Sequence, residues 1–264
     1  MSEVTWPDKL ANLIMIPSID DSLDELAALA EDEPGGWKYQ SEQKNQESKR
    51  RLPILFNYTI YTYKRLAEED KICVSDDGQS ITFNTGLVTD GQSQIFCVGV
   101  PNKLDDVDTQ WHFRAWCKAG DYEMTRFSKL PEMANYYSNP SSLVYDTNKE
   151  LRVNIEHIID ENKKRFPPPF NTMDTHALQT FLKGAIDNAK ERVRRNYKTA
   201  IPQYYKGKMQ LLLPLCISQP SKADLALTVG DHGEFYRAST CLTLDMAYNN
   251  ARQLARPDRD WLNP

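Results

Sequence analysis

The stretch KICVSDDGQSITFNTGLVTDGQSQIFCVGV, residues 71–100, decides the fold class. Its runs at 71–75, 80–84 and 94–100 are short and rich in Val, Ile, Thr and Phe, the composition of strands. Between them lie Asp76-Asp77-Gly78 and Asp90-Gly91, which supply hairpin turns. A fourth run, 111–118, carries Trp111, Phe113 and Trp116 and continues the meander.

Upstream, residues 52–69 predict a helix that opens on Pro53, where the missing N–H costs nothing. Ile54, Leu55, Tyr58, Tyr61 and Leu66 share one broad face, and Phe56, Ile60 and Tyr63 make the other side apolar, so the helix is expected to be central. Residues 1–45 read as a separable acidic lead-in, with Ser22 capping a short helix. Downstream, Asn154 caps a helix that stops at Pro167-Pro168-Pro169. The longest helix starts at Asp174 or Thr175 and runs to about Tyr197. Strands are expected at 209–217, 225–229 and 234–240, before a last helix capped by Thr243. The expectation is an α+β fold: a mainly antiparallel sheet of about seven short strands with helices packed around it, in a single domain over 46–264.

Composition bounds the function. The chain has 264 residues, 40% apolar and 26% charged, with a formal net charge of -5, which rules out disorder as the main state. Its longest apolar run, 211–217, is far short of the roughly 20 residues a membrane-crossing helix needs. The first residues have neither a basic region nor an apolar core, so a secretory signal is not expected. Five cysteines lie outside any Cys-x-x-Cys pair; Cys73, Cys97 and Cys117 read as buried thiols, and a cytoplasmic, bacterial-type protein is expected. Mild acidity argues against coating duplex DNA. The charge is segregated, however: 17–36 holds acids without Lys or Arg, whereas 189–208 holds seven basic residues against the single Glu191.

No nucleotide-loop, zinc-protease or nucleophile-elbow motif is present, and His112, His157, His176 and His232 lack metal-ligand spacing, so no metal site is expected. Asp105, Asp106 and Asp108 form an acidic turn that reads as solvated, with Mg²⁺ the one cofactor left open. Periodicity says more. In the long helix Leu178, Phe181, Leu182, Ala185, Ala189 and Val193 share a stripe into which Arg192 and Asn196 project. Arg65 and Arg165 follow the apolar faces of two other helices in the same way. Inward arginines meet either internal partners or a phosphate, whose oxygens match the guanidinium fork. Asn84, Thr85 and Gly86 end a strand in a polar turn that reads as a hairpin corner or an anion-binding nest. His157, on the flank of its helix, is the candidate acid or base. Tyr197, Tyr204 and Tyr205 interleave with Lys and Arg, a pattern shared by stacking surfaces and by an ordinary basic helix end.

Several segments resemble one family: Tyr61-Thr62-Tyr63-Lys64-Arg65-Leu66, Phe83-Asn84-Thr85-Gly86-Leu87, Asn154 with His157, and Arg165-Phe166-Pro167. To these add Asn196-Tyr197-Lys198-Thr199-Ala200-Ile201-Pro202-Gln203-Tyr204-Tyr205, Leu213-Pro214-Leu215 and Thr243-Leu244-Asp245-Met246-Ala247-Tyr248-Asn249-Asn250-Ala251-Arg252. Together, over about residues 50–262, they are similar to a bacterial family known as domain of unknown function 3825. Its members are often joined to OST-HTH (LOTUS) or cold-shock-type modules. The resemblance implies an RNA-related setting and no particular reaction. The resulting expectation is a protein that binds a nucleotide or single-stranded RNA end and hydrolyses a phosphodiester or pyrophosphate link. Arg65, Arg165 and Arg192 hold phosphate, Asn84, Thr85 and Gly86 line the opposite wall, and Asn196, Tyr197, Tyr204 and Tyr205 meet the base. The alternatives are a non-catalytic RNA- or nucleotide-sensing module and a protein–protein scaffold; the oligomeric state is left open.

Overall fold

Ten strands among the described residues form two sheets of five, one in each of two units, Met1–Asn135 and Tyr136–Pro264. The structure, a computed structural model, describes residues 5–33, 35–104, 108–136 and 139–254. The α+β class holds, with two corrections: each sheet is mixed, and three strands join the seven read from the sequence.

The first unit begins with α1 (Leu10–Leu13), β1 (Ile14–Met15), α2 (Ile19–Leu29), α3 (Glu42–Glu47) and α4 (Pro53–Glu68). The meander follows as β2 (Ile72–Val74), β3 (Ile81–Val88), β4 (Gln94–Pro101) and β5 (Trp111–Lys118). Strand order is β1-β5-β4-β3-β2, antiparallel except where Ile14 and Met15 run parallel beside Trp111 and His112. The stretch 1–45 therefore contributes a strand to the sheet, and Leu23 and Leu26 of α2 are fully buried. Each such burial stabilises the fold by about 1.5–3 kcal/mol. Helix α2 starts at Ile19, so Ser22 is no cap: it lies inside the helix, where its oxygens accept from Trp116 Nε1 at 2.7 and 3.0 Å. Helix α4 opens on Pro53 as expected, but Tyr61 is 44% exposed, so the helix has one wet side. The first hairpin closes because Asp77 accepts from Ser75 Oγ at 2.6 Å and from Gln79 N–H at 2.9 Å. On one face of the sheet, Met124 and Phe127, which follow β5, pack on Phe96, Val98 and Cys117.

The second unit runs β6 (Glu150–Val153), α5 (Ile155–Asn162), α6 (Thr175–Arg195), β7 (Ile201–Tyr205), β8 (Lys208–Leu215), β9 (Leu225–Asp231), β10 (Phe235–Thr243) and α7 (Leu244–Ala251). Its order is β6-β10-β9-β8-β7, with β6 parallel to β10 and the rest antiparallel. Caps fall where the sequence places them: Asn154 Oδ1 accepts from His157 N–H, Asp174 from His176 and Ala177, and Thr243 Oγ1 from Met246. Leu178, Leu182, Ala185, Ile186 and Val193 of α6 pack with Ile158 and Ile159 of α5 on Leu211, Leu213, Leu227 and Val229 of the sheet. Phe181, expected on that stripe, is 49% exposed and rests edge-on against Phe170, while Ile186 takes the buried place. Pro202 is tolerated in β7 because that strand is an edge.

The two units share one topology. In each, the first strand lies parallel beside the last, two or more helices intervene, and four strands then pair antiparallel in sequence order.

Candidate functional site

Each inward arginine read from the sequence has a partner within its own unit. Arg65, in the last turn of α4, pairs through Nε with Glu69 at 2.5 Å and through Nη1 with Glu68 at 3.5 Å, and donates to the Asn135 carbonyl at 3.1 Å. Burial raises the Glu69 carboxyl, but Lys71 Nζ at 2.9 Å, the Asn135 N–H at 2.9 Å and Arg65 outweigh it and hold the group below its ordinary value. Arg165 closes the turn after α5; it donates to Asn162 Oδ1 and, at 2.5 Å, to the Cys241 carbonyl, tying the helix end to β10. Arg192 donates to the Pro220 carbonyl. Arg65 thus belongs to the first unit, and Arg165 and Arg192 serve different elements of the second.

Asn84, Thr85 and Gly86 do not end a strand. Strand β3 runs on to Val88, and the register shift between Asn84 and Val88 puts Thr85 and Gly86 in a β-bulge that Asn84 opens. The N–H groups that a nest would offer are turned inward: Gly86 N donates to Asn84 Oδ1 at 2.9 Å and Leu87 N to Thr85 Oγ1 at 3.2 Å. Thr85 Oγ1 donates to the Ile95 carbonyl at 2.7 Å, and Asn84 Nδ2 to Gln94 Oε1 at 3.0 Å. Gly86 has φ +74°, and a Cβ there would stand 2.7 Å from the Tyr58 hydroxyl, so only glycine fits.

His157 is exposed on α5. Asn196 caps the turn Tyr197–Thr199 by accepting from Lys198 N–H at 3.0 Å. Tyr197 is 64% exposed and Tyr205 43% exposed, with Lys206 Nζ 5.3 Å from the Tyr205 ring centre. Tyr204 meets Tyr136 edge-on at 5.1 Å. The segment 201–205 is strand β7.

A pocket of about 380 Å³ has two of its eight lining residues, Lys190 and Arg194, in the basic run that the sequence marks. Lys190 and Arg194, one turn apart on α6, face the segment that leads into β6 and the start of that strand, from which Tyr145, Thr147, Asn148, Lys149, Glu150 and Leu151 complete the walls. Tyr145 stacks on Tyr236 at 4.5 Å, and burial above all pushes its hydroxyl up to about 12, which keeps it a proton donor. Lys149 Nζ bonds both Asp231 oxygens at 2.8 and 2.9 Å and is raised by that contact. For Asp231 burial is the largest single influence and acts upward, but Lys149 and the Gly233 N–H together outweigh it and lower the carboxyl overall. Arg194 pairs with Glu191 at 2.5 Å and Lys190 with Asp187 at 3.5 Å. These helix pairs are solvent-exposed, so each contributes little and exchanges readily for another anion. Lys190 and Arg194 stand in the basic run visible in the sequence; the 145–151 wall carries no local mark of its own.

Among the described residues, no three His, Cys, Asp or Glu side chains are grouped to hold a metal, and no helix is long and apolar enough to cross a membrane. Asp105 and Asp106 of the acidic turn lie outside the described residues. The five cysteines are free thiols; burial pushes Cys241 up to about 12 and Cys117 up to about 11.

A family model, Domain of unknown function (DUF3825), matches residues 26–261. The chain belongs to this family. The DUF3825 match starts inside α2 and takes in every strand but β1, so it extends upstream of the segments that carry the sequence resemblance. No curated protein and no solved structure matches the chain.

Proposed function

We propose that this DUF3825 chain binds a phosphate-bearing ligand, a nucleotide or the end of a single-stranded RNA, in the pocket between α6 and the segment entering β6. The observation that carries the reading is the lining: Lys149, Lys190 and Arg194 from two separate elements face one polar hollow in which Glu150 is the lone carboxylate. Cations converging on a concave, partly desolvated surface bind phosphate more strongly than the same charges spread over a convex one. Tyr145 and Asn148 add hydrogen-bonding groups for a sugar or base, and Tyr197, just past Arg194 in the chain, is an exposed ring on which a base can stack. RNA is favoured by the OST-HTH and cold-shock-type companions of domains similar to this one.

The function proposed is binding rather than hydrolysis. Glu150, the one proton acceptor of carboxylate type in the lining, is held by Arg152 at 2.8 Å, and His157 is not among the lining residues. Isothermal titration with a nucleoside 5′-monophosphate and a 5′-phosphorylated RNA oligomer tests the assignment. The variant Lys190→Gln/Arg194→Gln is expected to bind the monophosphate at least about tenfold more weakly, as loss of two charge-assisted contacts implies, and to lose the advantage that a 5′-phosphate gives the oligomer over its 5′-hydroxyl form. Unchanged affinity in the folded variant refutes it. Turnover of the RNA by wild type that disappears in His157→Ala would reinstate the hydrolytic expectation.

A further inference from the structure

Strand β6 is an edge of the second sheet, and its residues alternate between two environments. Leu151 and Val153 pack against the core, which leaves Glu150 and Arg152 on the opposite face. On β10, Tyr236 and Ala238 are in the core, which leaves Phe235 and Arg237 on that same outer face. Register sets Arg152 directly beside Arg237, and the row continues through Gly230 and Gln210 to Gln203. Like charges in register on paired strands repel, so a free sheet gains nothing from this pair. One carboxylate, Glu150, answers Arg152; among the described residues Arg237 has no ion-pair partner.

Aromatic rings flank the two arginines. The Arg152 guanidinium lies 4.0 Å from the centre of the Phe235 ring, and the His232 ring stacks on Phe235 at 5.4 Å with 7° between planes. Helix α7 reaches the far end of the row, where Asn250 donates to Gln203 at 3.1 Å. The arginine end stays open as a hollow of about 430 Å³ bounded by Arg152, Val153, Asn154, Phe235 and Arg237. In the first unit the parallel edge pair sets Ile14 beside Trp111, both buried, and Met15 beside His112.

We propose that this outer face is a second binding site, one for the chain of a single-stranded nucleic acid. Arg152 and Arg237 take backbone phosphates, the strand passes over the bare backbone at Gly230, and bases pack on Phe235 and His232. Repulsion between the two guanidiniums is relieved when the phosphates bind. The site shares no lining residue with the pocket proposed above and stands without it.

Fluorescence anisotropy with a 5′-hydroxyl oligouridylate of about twelve nucleotides tests the proposal on the full chain. Arg152→Gln/Arg237→Gln is expected to weaken binding at least about tenfold and to lower the slope of log K against log salt by about 1.4, which is two phosphate contacts. Gly230→Val keeps both arginines and is expected to weaken binding by obstruction. Lys190→Gln/Arg194→Gln is expected to leave oligonucleotide affinity unchanged while losing the mononucleotide, which separates this site from the pocket. The proposal fails if wild type does not bind the oligonucleotide, or if both face variants, folded by circular dichroism, bind as wild type does. It also fails if only the pocket variant loses affinity. Competition by polyglutamate as effective as by oligouridylate overturns it too, since an acidic protein would then be the guest.

Discussion

The two units make the same chain path from different surfaces. In the first, the parallel edge strand β1 is apolar, its partner β5 brings Trp111, and a Cβ at Gly99 would meet Ile14 Cδ1 at 2.7 Å. In the second, the parallel edge strand β6 carries Arg152 beside Arg237 and borders two hollows. The first unit's polar triplet, Asn84-Thr85-Gly86, bonds within its own unit, whereas Arg152 and Arg237 of the second unit are exposed. One topology thus serves packing in one unit and leaves an anion-facing surface in the other. A shared path does not imply a shared function, because function resides in the side chains placed on it.

This contrast is open to direct attack. Valine in place of glycine should divide the units most sharply. Gly86→Val combines a left-handed backbone with a collision at Tyr58, so a loss of about 2–5 kcal/mol is expected in urea unfolding. Gly230→Val brings its Cβ to ordinary contact, 3.8 Å from His232 Nε2, so a change within about 0.5 kcal/mol is expected. Equal losses at the two positions would break the comparison. A smaller difference is expected with pH. Glu69 and Asp231 are both lowered on folding, so the stability each contributes is complete above the unfolded value near pH 4 and is lost as pH falls through the lower folded value. Urea midpoints of Glu69→Gln and Asp231→Asn should therefore lie below wild type at neutral pH and converge with it in acid. The gap should be wider for Glu69, whose side chain is 13% exposed against 42% for Asp231. The smallest effect sharpens the comparison instead: Arg237→Gln removes a like-charge neighbour and should raise stability by a few tenths of a kcal/mol at low salt. A fall in the midpoint would mean that the arginine pair is structural.

Much of the fold was legible in local chemistry. Asp76-Asp77-Gly78, Asn154, Asp174 and Thr243 act at turns and caps where a side chain bonds its own neighbours, so sequence adjacency suffices to place them. The three strands that were missed had no such signal: β1 is two residues long, β6 is four, and β7 is interrupted by Pro202 and Gln203. The candidate site was legible in its charge and not in its geometry. Lys190 and Arg194 stood out in a basic run, and Arg65, Arg165 and Arg192 stood out as cations on apolar stripes. Yet the partners of those three include the carbonyls of Asn135, Cys241 and Pro220, groups that every residue carries and no sequence pattern marks. Arg152 and Arg237 drew no notice, since each is an ordinary exposed residue on its own strand.

By itself the sequence determined the α+β class, the longer helices, the caps at Asn154, Asp174 and Thr243, the hairpin turns and the segregation of charge, because these depend on neighbours within a few residues. Only the tertiary structure decided that there are two sheets of like topology, that their edges pair in parallel, and which cations face solvent together. Those outcomes depend on strand register between segments far apart in the chain, where side-chain positions are set by backbone hydrogen bonds that carry no residue identity.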